Sequence, residues 1–82
     1  MSKVSVIFKI YPQEDMLEKV MISIKSSMSP KDMKTEEIGF GIKILKAMFI
    51  FDDTQVRSSH LEDSLKKIQG VNEVEVEQET LI

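Results

Sequence analysis

At 82 residues, 41% apolar and 30% charged, the chain fits a single domain over 1-82, with a real core but modest stability. Its lack of cysteine excludes a disulfide framework and a thiolate metal site. Its net charge of −3 argues against a generic phosphate binder. No apolar run approaches the ~20 residues of a membrane span, and no basic n-region or apolar h-region precedes the first strand pattern. A cytoplasmic protein is the expectation.

Val4 to Ile10 alternates, with Val4, Val6, Phe8 and Ile10 on one face, which predicts a half-buried strand ended by Tyr11-Pro12. From about Asp15 to Met28 the period changes. Leu17, Val20, Met21, Ile24 and Met28 form one apolar helical stripe, stopped by Ser29-Pro30. Lys31 to Ile38 is polar with scattered hydrophobes and reads as an edge strand leading into Gly39-Phe40-Gly41. Ile42 to Phe51 is nearly all apolar, as a central strand buried on both faces requires.

Ser59-x-x-Glu62 fits a capping box, with Leu61, Leu65 and Ile68 as the stripe of a second helix and Gly70 as its C′ residue. Val71 to about Val76 alternates again, and the pattern extends toward Ile82. The order is β-α-β-β-α-β. It predicts an α+β, ferredoxin-like sandwich: a four-stranded antiparallel sheet with two helices on one face.

Reactive groups are few. His60 is the sole histidine and reads as a solvated helix-end residue. Asp52-Asp53 lacks a further nearby carboxylate to complete an oxygen ligand set. Gly39-Phe40-Gly41 lies between strands, so it is no phosphate loop. The sequence therefore predicts neither an enzyme nor a cofactor or metal site. Glu73, Glu75, Glu77 and Glu79 recur at period two and predict an acidic row on the last strand. It would either block strand addition or meet a basic partner.

If Leu45, Ala47, Phe49 and Phe51 face the helices, then Ile42, Ile44, Lys46, Met48 and Ile50 lie on the open face. With Ile7 they predict an exposed apolar patch, the mark of a partner surface or of a dimer contact.

RNA recognition motifs share this element order and contain Gly-aromatic-Gly. Here Ile38 replaces the expected cation, and Ile42 and Leu45 replace the expected rings. Each missing ring forgoes roughly 1–3 kcal/mol of stacking per base. Direct nucleic-acid binding is not expected.

The residues Ile38 to Lys43, Phe51-Asp52-Asp53 and Leu61-Glu62-Asp63, with the opening Val6 to Pro12, carry a resemblance over essentially the whole chain. The sequence resembles the elongation factor 1-beta family in its compact archaeal form. That resemblance implies guanine-nucleotide exchange on elongation factor 1-alpha, a GTPase. It also implies that Phe40 inserts into the G domain, with Gly39, Gly41, Ile42 and Lys43 around it as the partner-binding segment. Ile44, Met48 and Ile7 form a possible secondary surface. Eukaryotic members carry a lysine beside the final hydrophobic residue, where it disturbs the Mg²⁺ site, whereas this chain ends Glu79-Thr80-Leu81-Ile82. No Mg²⁺-displacing residue is assigned, and a monomer is expected. The competing expectation is a ferredoxin-like module that dimerises through its open sheet or binds a small effector.

Overall fold

Val4, Val6, Phe8 and Ile10 all enter one buried layer in the computed structural model, which describes residues 3–52 and 58–82. They belong to β1 (Lys3–Pro12), followed by α1 (Leu17–Met28), β2 (Asp32–Gly39), β3 (Ile42–Asp52), α2 (Ser58–Lys66) and β4 (Val71–Leu81). The strands form one sheet in the order β2-β3-β1-β4, antiparallel at every seam. The predicted element order and ferredoxin-like architecture are borne out.

The core lies between one sheet face and both helices. Val20 and Ile24 of α1 and Leu65 of α2 pack with β1, with Leu45, Ala47 and Phe49 of β3, and with Val74 of β4. Fully burying side chains of this kind stabilises by about 1.5–3 kcal/mol each. Phe8 and Phe49 add an edge-to-face contact, with ring centroids 5.9 Å apart at 69°. Phe8 is thereby committed to the core, as its place in the alternation predicted.

Both helices differ at their ends from the sequence reading. Asp15 takes a left-handed φ of 62°, so the helical run starts at Leu17 rather than Asp15. The Met16 amide donates to the Gln13 carbonyl at 3.0 Å instead of to a side-chain cap. The helix α2 begins at Ser58, which places Ser59 inside the first turn and not at the cap. Glu62 accordingly reaches forward to Lys66 at 3.0 Å, one helical turn on, and the predicted capping box is not formed. Gly70 does adopt positive φ, at 97°, but in a separate turn four residues beyond the helix end. His60 is exposed at the start of α2, as expected. Of the Asp52-Asp53 pair, Asp53 lies outside the described residues.

The sheet registers correct two further expectations. Between Phe8↔Val76 and Ile7↔Gln78 the β1–β4 ladder shifts by one residue, leaving Glu77 as the bulged position. Past the bulge the alternation inverts. Glu79 comes opposite the core residue Val6, so it leaves the acidic row that Glu73 and Glu75 begin. Glu77 turns instead to Lys46 at 2.9 Å and Lys9 at 3.7 Å, and Lys46 also holds Glu36 at 2.6 Å. The Tyr11 hydroxyl donates to Glu75 at 3.1 Å on the same face.

On the open face a charged lattice thus covers the part of the expected apolar patch at Ile7, Ile44 and Met48, while Ile42 and Ile50 of the same patch are exposed, at 54% and 40%. Ile44 is only 1% exposed. Its cross-strand neighbour is Glu36 and the next residue on its own face is Lys46, whose ion pair spans it. Ile7 and Met48, paired in register, are half-buried. Aliphatic stems of long charged side chains cover apolar surface readily.

The lattice has a pH signature. The hydrogen bond from Lys46, with the charges of Lys46 and Lys9, holds the Glu77 carboxyl below its ordinary value. A carboxylate lowered by folding stabilises fully above its unfolded pKa, and the effect disappears as pH falls through the folded value. Glu77→Gln is expected to be less stable than the parent at pH 7 and to converge with it in acid. Urea midpoints measured from pH 7 down to pH 2 check this. A gap that persists unchanged at the acid end would assign the loss to packing instead.

Candidate functional site

The tip where β2 turns into β3 departs from what folding alone favours. Glu37 pairs with Lys43 and Gly39 with Ile42, so the intervening Ile38 is a bulge and Phe40-Gly41 is a two-residue hairpin loop. The φ angles run 123° at Gly39, 52° at Phe40 and 75° at Gly41. Positive φ at both central positions is the signature of a type I′ turn, which favours Asn, Asp or Gly at the first of them. Phenylalanine there costs roughly 1–2 kcal/mol of left-handed strain.

The ring gains nothing in return. Phe40 is fully exposed, at 105%, and Ile38 and Ile42 beside it are 50% and 54% exposed. Burying such a ring would contribute about 1.5–3 kcal/mol, and this chain forgoes it. An added Cβ at Gly39 or Gly41 would meet nothing within 4 Å, so the tip stands clear of the rest of the domain. Strain and exposure coinciding at one apolar residue is the pattern of a functional site, because local folding preference has been overridden there.

The turn does not stand alone. Antiparallel pairing brings the end of β1 alongside the start of β3, with Ile10 opposite Leu45. The β1–α1 loop thus lies next to the turn, and between them is a cleft of about 520 Å³. Pro12 and Leu17 line one wall, Ile42 and Lys43 the other, and Glu14 and Asp15 stand at the rim. Of the predicted segment, Gly39, Phe40, Gly41, Ile42 and Lys43 come together at this tip. Ile44 is sealed under the lattice, and Met48 and Ile7 lie farther along the sheet.

Ile38 was not singled out from sequence as a contact, because its exposure depends on the bulge. Glu14 and Asp15 were likewise not singled out as contacts. Pairing the two strands antiparallel is the signal that would have brought their loop to the turn. Among the described residues no group of three His, Cys, Asp or Glu side chains could hold a metal ion.

The molecule is thus a small α+β sandwich presenting a strained, exposed apolar tip. The model of the EF-1 guanine nucleotide exchange domain matches residues 5–82, and the chain belongs to that family. Elongation factor 1-beta of Methanocorpusculum labreanum is 36% identical over 80 residues, covering 94% of this chain and 93% of the relative. That of Methanosphaerula palustris is 33% identical over 86 residues, covering 99% of each. The protein of the same name from Aeropyrum pernix is 33% identical over 84 residues, covering 94% and 93%. The resemblance to the archaeal form of the family is borne out, and the chain is a guanine-nucleotide exchange domain of translation elongation.

Proposed function

We propose that this domain, acting as a non-catalytic binding protein in the cytoplasm, docks on elongation factor 1-alpha and promotes GDP release and GTP reloading. Phe40 is its leading contact, and Gly39, Gly41, Ile42 and Lys43 complete the docking segment. One observation carries the site assignment: a fully exposed ring held in a strained left-handed conformation. An exchange factor must bind the nucleotide-free GTPase more tightly than the nucleotide-bound form, and the coupling is reciprocal. A rigid ring on a projecting turn supplies apolar anchoring area at little entropic cost.

No helix among the described residues is long and apolar enough to cross a membrane. The open-face alternative is not favoured, since Ile44 is sealed beneath ion pairs. The test is stopped-flow release of fluorescent GDP from elongation factor 1-alpha. The off-rate is expected to rise with domain concentration and then saturate. An off-rate indifferent to the domain at every concentration removes the proposal.

A further inference from the structure

Charges at the turn end of the molecule fall into two groups. On the open sheet face the central ones hold one another: Lys46 holds Glu36 and Glu77, and Tyr11 holds Glu75. On the helix side of the same end, Glu14, Asp15 and Lys43 are exposed and make no ion pair with any described residue. These three border the cleft beside Phe40, whose apolar walls include Leu17 and Ile42. Unpaired charge of both signs thus borders a concave surface continuous with the turn.

From this we infer that the cleft is a second docking element for the GTPase, seating a segment that carries a lysine or arginine. The inference rests on the reading of the Phe40 turn as the GTPase contact. Two rim carboxylates against one ammonium select a cationic occupant. Apolar walls beneath a carboxylate rim suit a side chain with an aliphatic stem and a charged head. Lys43 on the facing wall then opposes the incoming cation and sharpens its placement toward Glu14 and Asp15.

Rim charges act chiefly on association rate and on its salt dependence. The two carboxylates and the lysine should therefore have effects of opposite sign. Fluorescent-GDP release is measured for the parent, for the double variant Glu14→Gln/Asp15→Asn and for Lys43→Met, at several ionic strengths, with melting curves for each. Asparagine suits position 15, whose φ is 62°, because it tolerates the left-handed region. The double variant should lose about three- to tenfold in kcat/KM at low salt, with a flatter salt dependence and an unchanged melting temperature. Lys43→Met should gain at low salt.

A double variant with the parent's rate and salt slope overturns the inference. So does a loss in Lys43→Met accompanied by a gain in the double variant, which marks an acidic occupant. If Phe40→Ala abolishes acceleration while the double variant does not differ from the parent, the cleft assignment fails and the turn assignment stands. A parent that leaves the off-rate unchanged overturns both.

Discussion

Phe40→Ala is expected to reduce the acceleration of GDP release at least tenfold while leaving the melting temperature within about 3 °C of the parent. The ring is fully exposed, so truncating it removes no folding contact, and surface changes of this kind are within about 0.5 kcal/mol. Buried in a partner pocket, the same ring is worth about 1.5–3 kcal/mol. With tenfold per 1.4 kcal/mol, that range corresponds to roughly a ten- to hundredfold loss. Phe40→Asn separates the two roles more sharply. Asparagine suits the first central position of a type I′ turn, so this variant should melt at or above the parent temperature and still lose exchange. A fall of about 10 °C or more in Phe40→Ala would instead place the ring in the core in solution.

The local periodicities that built the fold were legible. Alternation in β1 gave its buried set, and the stripe from Leu17 to Met28 gave the face of α1, because each element had a single partner surface to satisfy. What depended on register was not legible. The bulge at Glu77 inserts one residue into β4 without disturbing its polar composition, so the four-glutamate row looked continuous although Glu79 sits on the other face. Ile44 looked available because a strand pattern gives a face but not the side chains that close over it. Glu36 reaches it, and closes over it with Lys46, only through the β2–β3 register.

The site divided in the same way. Two glycines flanking an aromatic residue announced the turn, the resemblance implied that Phe40 projects from it, and the strain and full exposure are seen in the structure. The cleft beside it joins residues about thirty positions apart in sequence, and only the antiparallel β1–β3 pairing unites them. The apolar anchor was therefore visible in one stretch of sequence. The charged rim that would orient a partner needed the tertiary structure.

That rim depends on Gly70, and Gly70→Ala is expected to be among the most destabilising small substitutions available to this domain. The buried Gly70 carbonyl accepts a 2.6 Å hydrogen bond from the Gln13 amide, which fixes the β1–α1 loop against the end of the α2–β4 turn. A Cβ at Gly70 would lie 2.8 Å from Met16 Cε and 3.0 Å from Val20 Cγ2. The Met16 methyl can swing away. Val20 is fully buried in the core on a β-branched, stiff side chain and cannot do so cheaply. Its φ of 97° adds backbone strain for any L side chain. Overpacking at about 1–3 kcal/mol and left-handed strain at about 1–2 kcal/mol together give about 2–5 kcal/mol. For a domain of this size that is a fall of roughly 8–40 °C in Tm. Gly41→Ala is the control, since its φ is 75° and its Cβ would meet nothing within 4 Å. It carries the strain without the clash and should lose only about 1–2 kcal/mol. Thermal unfolding of the two variants side by side decides the matter: equal melting temperatures would mean that α1 yields freely at Val20. The Gln13 loop would then have room to move, and the cleft wall it forms would not be rigid.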